Sequence, residues 1–327
     1  MRQEGAQTAL PRHTQFGDSR VAATFTYHEP FTSPTVRVGD FHCRPTDKGC
    51  GGEEFGRSDE FVFVRRGSFV KHTGRRAVFA QPNHVLFFSK GECYRVSHPV
   101  GGGDDCTPFR VRFDALRPIL AENHQLVHDD ERGGFRAAQA PCDPRLYLRH
   151  LRLLAAIRSG QLTDLAVEEQ VLHLAGDLFE DIAAHTTGAR RQRRTDTRQV
   201  HRDVAQQVMH GVAQHPGAAM SIERLARQAH VSPFHLCRLF REQTGFSIHA
   251  YRTQLRLRIS LQRLAEGERD LAGLALDLGF ADQSHFCNSF RGTFGVTPGS
   301  FRRSLSTRRF RETSKILQDR AYPPSYT

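Results

Sequence analysis

The pattern of apolar and polar positions changes character along this chain of 327 residues. In the last third, apolar residues return every three or four positions, the period of a helix with one buried face. Between positions 221 and 301 this pattern occurs twice. The first copy runs Ile222, Leu225, Ala226, Ala229, then Val231-Ser232-Pro233, then Leu236, Leu239 and Phe240, and stops at Gly245. The second runs Leu271, Leu274, Ala275, then Leu278-Gly279-Phe280, then Phe286, Phe290 and Phe294, and stops at Gly295. Phe240 and Phe290 lie 50 positions apart, as do Arg241 and Arg291; ahead of the turn the offset is 49. The second turn is therefore one residue longer. A repeat of this length predicts two similar helix-turn-helix units. Ser232 is placed to cap the second helix of the first unit, with Pro233 at its first position, and Asp282 takes the capping place in the second unit.

The two faces of these helices differ in chemistry. Leu236, Leu239 and Phe240 share one side, whereas Phe234, Cys237, Arg238 and Arg241 share the other. Phe286, Phe290 and Phe294 turn inward and leave Gln283, Ser284, His285, Asn288 and Arg291 outside. An apolar inner face with a basic, polar and aromatic outer face suits a helix lying in a DNA major groove. Phe234, His235, Cys237 and Arg238 are candidates for base contact in the first unit, and Gln283, Ser284, His285 and Asn288 in the second. Ser232, Arg241 and Arg291 are placed for phosphates, which add affinity without selectivity. Between the units, 247–266 contains neither Pro nor Gly and has helical spacing at Tyr251, Leu255, Ile259, Leu261 and Leu264. One helix there spans ~30 Å, close to the ~34 Å of one DNA turn. It predicts a strut presenting both outer faces to successive grooves.

The first third reads differently. From about 22 to 113, short runs of Val, Phe and Thr alternate with Gly, Pro, Asn and Asp. Candidate strands are 24–27, 35–37, 61–65, 68–71, 77–80, 85–89, 93–98 and 109–113. Many short antiparallel strands predict a sandwich or barrel. Two amphipathic helices follow, over 143–159 and 162–184. A linker at 186–196 carries the basic run Arg190-Arg191-Gln192-Arg193-Arg194, and another helix is expected at 197–215. The ends, 1–21 and 306–327, read as loosely ordered.

The charge sharpens this picture. The chain carries 46 Lys and Arg against 35 Asp and Glu, a formal charge of +11. Of this, 197–310 holds 16 Arg, no Lys and 8 acidic residues. Such an excess fits a nucleic-acid partner, and Arg suits both phosphate and guanine. No run of ~18 apolar residues predicts a membrane span. The seven Cys, an odd number, and the absence of a secretory leader favour reduced thiols in a cytoplasmic protein.

The C-terminal third closely resembles the DNA-binding domain of the AraC/XylS family of transcription regulators. The resemblance is carried by Leu225-Ala226, Val231-Ser232-Pro233, Leu236, Arg238-Leu239-Phe240-Arg241, Gly245, Leu274-Ala275, Leu278-Gly279-Phe280, Asp282-Gln283-Ser284-His285-Phe286, Phe290, Phe294-Gly295-Val296-Thr297-Pro298 and Phe301-Arg302. Asn288 and Gly292 stand where such regulators often carry a basic residue, although Asn can read adenine. The resemblance implies an α+β multidomain chain: a cupin-like β-barrel effector domain (22–142), a helical hairpin for dimerisation (143–185) and an all-α DNA-binding domain (197–305) with two helix-turn-helix units. It further implies promoter DNA and RNA polymerase as partners, a homodimer, an effector received by the β-domain, and activation of transcription.

No catalytic motif is present: there is no Gly-x-Ser-x-Gly, no phosphate-binding glycine loop and no His-Glu-x-x-His. No cofactor or metal is assigned. The β-region nevertheless gathers Cys43, Cys50, Cys93, His98 and Cys106, with His42, Asp104, Asp105 and Cys142 nearby. These residue types suit a soft metal or a thiol switch, although none has Cys-x-x-Cys spacing. The alternatives to a regulator of unknown signal are therefore a metal or thiol redox sensor on the same architecture, and a cupin-type metalloenzyme targeted to DNA.

Overall fold

The computed structural model describes residues 24–46, 49–74, 76–121, 134–187 and 195–305. The expected loose ends, and the basic run at 190–194, lie outside the described residues. Ten strands come first: β1 (Thr24–Thr32), β2 (Val36–Arg44), β3 (Glu54–Phe55), β4 (Glu60–Gly67), β5 (Phe69–Thr73), β6 (Arg76–Ala80), β7 (His84–Phe88), β8 (Cys93–Ser97), β9 (Asp104–Val111) and β10 (Gln139–Pro141), with helix α1 (Phe113–Ala121) before β10. They form a six-stranded antiparallel sheet in the order β1-β2-β9-β4-β7-β10 and a four-stranded sheet in the order β3-β8-β5-β6.

The central strands of the larger sheet are buried on both faces, which explains their unbroken apolar runs. In β4, Phe61 and Phe63 point toward the helices, while Val62 and Val64 point toward the smaller sheet. In β7, Val85 and Phe87 take the helical side and Leu86 and Phe88 the other. Several expectations need correction: the strands placed at 24–27 and 35–37 run on to Thr32 and Arg44. The strand placed at 109–113 is β9, which begins at Asp104 and ends at Val111, because the chain turns into α1 at Phe113. The short β3 and β10 carry too few residues to show an alternation and fall outside the expected set.

The helices α2 (Pro144–Arg158) and α3 (Asp164–Thr187) cover the larger sheet. Asp143 caps α2, accepting hydrogen bonds from the backbone N–H groups of Arg145 and Leu146, and Pro144 opens the helix. The apolar side chains of α2 are buried within the chain's own core: Leu146, Leu148, Leu151, Leu153 and Leu154 join Phe61, Phe109 and Phe179 there.

The C-terminal half is helical: α4 (Thr195–Gln214), α5 (Ile222–Gln228), α6 (Pro233–Thr244), α7 (Ile248–Ala265), α8 (Leu271–Asp277), α9 (Gln283–Phe294) and α10 (Pro298–Leu305). It does not stand apart from the β-region. The loop between β6 and β7 grips α7: Gln81 Nε2 donates to the Tyr251 hydroxyl, and Asn83 Nδ2 donates to the Tyr251 carbonyl at 3.0 Å. Arg258, fully buried, donates to Asn83 Oδ1, to the Cys142 carbonyl and, at 3.3 Å, to Gln254 Oε1, and its guanidinium lies 5.4 Å from the centre of the Tyr147 ring. Burial pushes its pKa below the ordinary value. On the other side, Gln206 Nε2 of α4 donates to the Ala77 carbonyl at 2.6 Å, and Phe79 joins the core beneath α6.

Arg258→Ala removes the donors that satisfy Asn83 and Cys142 and leaves a cavity. It is expected to destabilise the protein by at least ~2 kcal/mol. Arg224→Ala, on an exposed position, should stay within ~0.5 kcal/mol. Urea unfolding monitored by circular dichroism checks the contrast; equal midpoints for the two variants would contradict it.

Candidate nucleic-acid interface

The two helix pairs are built by the same local rules. In the first, the Ser232 side chain accepts from the His235 N–H at 3.2 Å, Pro233 opens α6, and Gly245 ends it at φ 78°. In the second, Asp282 accepts from the His285 N–H at 2.7 Å, and Gly295 ends α9 at φ 72°. The longer second turn also uses Gly279 at φ 75°, where a Cβ would stand 2.2 Å from the Gly217 carbonyl oxygen. A left-handed turn against another backbone admits only glycine there.

These turns place the outer faces as the helical spacing predicts. Leu236, Leu239 and Phe240 of α6, and Phe286, Phe290 and Phe294 of α9, are buried. Phe234, Cys237, Arg238 and Arg241 are exposed, His235 is half-buried, and Ser232 is exposed at the cap. Gln283, Ser284, His285, Asn288 and Arg291 are exposed on α9. Phe234 is 79% exposed, a large ring left to solvent. Arg238 Nε lies 3.8 Å from Glu242 Oε1 one turn on, an exposed pair too weak to hold it from another partner. His235 meets the His201 ring edge-on at 5.8 Å, and His285 meets Phe280 at 5.5 Å. Both imidazoles are thereby oriented by a neighbour.

Not all of the C-terminal arginines face outward. Arg256 donates to the carbonyls of Pro216 at 2.6 Å and Gly279 at 2.9 Å, lashing the end of α4 to the second turn. Burial and the neighbouring Arg252 push its pKa down to about 10. Arg252 donates to the Pro216 and Ala218 carbonyls. Arg263 pairs with Glu268 at 2.9 Å and Asp277 at 3.0 Å. Arg302 donates to the carbonyls of Glu268 and Arg269. With Arg258, these are structural cations. Their spacing along the chain carries no sign of this, because each bonds to carbonyls or carboxylates brought near only by folding.

In the β-region the structure divides the sensing candidates. Cys50 and Cys93 are exposed. Cys43, His98 and Cys106 are buried and converge with Asp104, which residue type alone sets beside them and not among them. His42 and Asp105 form a separate network with Asp40 and Arg44. Cys142 lies beside Arg258, its thiol pushed up to about 12 by burial.

A profile described as "Helix-turn-helix domain" matches residues 225–304. The chain is 44% identical over 81 residues to the HTH-type transcriptional regulator GlxA of Rhizobium meliloti, covering 24% of this chain and 24% of that protein. It is 30% identical over 105 residues to the regulatory protein SoxS of Salmonella typhimurium, covering 32% of this chain and 98% of that protein. Among solved structures, an apo ToxT variant from Vibrio cholerae aligns with 84% of this chain and 99% of its own at 13% identity, with a TM-score of 0.36. With four curated relatives, GlxA among them, the match spans about a third or less of their length. Among the described residues, no helix is long and apolar enough to cross a membrane.

The caps set the orientation of α6 and α9. Ser232→Ala and Asp282→Ala should each cost ~0.5–2 kcal/mol, whereas Ser232→Asp should preserve stability. Thermal denaturation checks this; alanine variants that melt with the parent would show that the caps are dispensable.

Proposed function

Because the chain belongs to the AraC/XylS family of transcription regulators, we propose that it binds specific promoter DNA through α6 and α9 and regulates transcription there. The observation that carries this reading is the pair of similarly capped helices at either end of α7. Each buries an apolar face and leaves a polar and basic one uncovered. Arg238, Phe234, His235 and Cys237 enter one major groove, and Gln283, Ser284, His285 and Asn288 the next. Arg238 is able to read guanine bidentately, and Gln283 and Asn288 are able to read adenine. Arg241, Arg291 and the cap at Ser232 meet phosphates.

Residues 22–142 with the helices of 143–185 form the effector region, cupin-like in its paired antiparallel sheets, and 197–305 forms the DNA-binding region. A signal received by the first reaches the second through α7, whose Tyr251 and Arg258 are hydrogen-bonded by the β6–β7 loop and the strand end before α2. RNA polymerase is the protein partner at an activated promoter, and a second copy of the chain is the partner on a paired half-site. The reading contains no catalytic step.

Gel-shift titration on a cognate fragment tests the contacts. Arg238→Ala should weaken specific binding by ~1–3 kcal/mol and relax discrimination at one base pair. Arg291→Ala should weaken binding to all sequences alike and lower the salt slope by ~1. Unchanged affinity in both variants would refute the assignment.

A further inference from the structure

The space between the two sheets holds a cluster that DNA binding does not use. Cys43 closes the inner face of β2, and its register partner on β9 is Asp104. Cys106, two residues along β9, faces the same side as Asp104. His98 arrives from the opposite sheet, immediately after β8. The four side chains are almost wholly buried. His98 Nε2 lies 2.7 Å from Asp104 Oδ1, and Cys106 Sγ donates to Asp104 Oδ2 at 3.1 Å. One ligand atom each from Cys43, His98 and Asp104 lie within 4.8 Å of one another. Tetrahedral zinc holds its ligands ~3.5 Å apart. Closing this set onto an ion therefore requires side-chain movements of about an ångström.

The backbone is shaped to make this convergence. His98 and Asp104 are joined by a turn through Gly101, Gly102 and Gly103, at φ 78°, 76° and 72°. Three consecutive left-handed residues fold the chain back on itself, and a Cβ at Gly103 would stand 1.9 Å from the Cys43 carbonyl oxygen. The turn thus presses Asp104 against Cys43 while returning it to within hydrogen-bonding distance of His98. Asp104 is a buried carboxylate whose side-chain partners among the described residues are an imidazole and a thiol. A divalent cation placed among them would carry the charge of the carboxylate and of a Cys43 thiolate together.

We propose that Cys43, His98 and Asp104 bind one divalent cation of the zinc class, linking the two sheets at the glycine turn. Binding replaces the Cys43 S–H bond with a metal–sulfur bond and releases the proton to solvent. Cys106 holds the Asp104 carboxylate in place through its second oxygen. One sulfur, one nitrogen and one oxygen donor select zinc or cobalt over magnesium and calcium, which prefer oxygen alone. Cys50 and Cys93 take no part. The site stands independently of the DNA-binding reading.

The full-length protein, stripped with chelator under reducing conditions, is titrated with Co2+. One equivalent should produce thiolate-to-cobalt charge-transfer absorption and the intense visible bands of tetrahedral cobalt. Zn2+ should bleach both, and excess Mg2+ should not. Cys43→Ser should abolish the charge-transfer band and weaken Zn2+ binding by at least ~100-fold, beyond the ~10–100-fold loss expected for an outer partner. Cys93→Ser should leave spectrum and affinity unchanged. Zn2+ should raise the melting temperature of the parent and of Cys93→Ser, a readout that does not depend on the Cys43 variant folding. A folded parent that takes up no cobalt overturns the proposal. So does a charge-transfer band that survives Cys43→Ser or disappears in Cys93→Ser.

Discussion

The architecture depends on one helix being built into two hydrophobic cores. The first half of α7 places Ile248, Tyr251 and Leu255 among Leu225, Leu236, Leu239 and Phe240 of the first helix pair. Its second half places Leu257, Leu261 and Leu264 among Leu274, Phe286, Phe290 and the apolar residues of α2. Ile259 packs against both. A helix of 18 residues alone in water would be marginal and would fray. Here nine of its side chains are buried, so bending it would open two cores at once. That is the physical basis for treating α6 and α9 as fixed relative to each other. It follows from packing, not from helix propensity.

The same burial explains how cations are divided. An arginine needs a partner when it leaves water, and carbonyls at helix ends supply one without a second charge. Arg252, Arg256 and Arg302 meet that need by tying turns together, and Arg258 does so between the β-region and α7. The arginines left on the outer faces of α6 and α9 have exposed carboxylates or solvent as neighbours. Total charge therefore sets the field around the protein, but the arginines free to touch DNA are those no carbonyl has claimed.

How much of this could be read in the residues depended on range. Caps, glycine stops and the repeat are local or regular, so α5 to α9 and the exposed set on α6 and α9 were readable almost residue by residue. Ser232 and Asp282 bond only three residues ahead. Contacts between distant segments were not readable. Arg258 stands in a run with Arg252 and Arg256 and looks like surface charge, yet it ends beneath Tyr147. The strands β4 and β7 were placed by their apolar runs, but neither their burial on both faces nor the helices lying across them could be read there. The Cys43–His98–Asp104 group needed two strand registers and a glycine turn before its members became neighbours. Their spacing alone favoured no one pair over the exposed Cys50 and Cys93.

The central claim is that a rigid α7 delivers two helices to one face of the duplex. Hydroxyl-radical footprinting of the full-length protein on a cognate promoter fragment tests it most directly. Two protected patches should appear on the same face, centred about one helical turn, ~10 base pairs, apart, and both should weaken together when α7 is interrupted by Leu257→Pro. Protection confined to a single groove, or two patches whose separation varies from site to site, would contradict it.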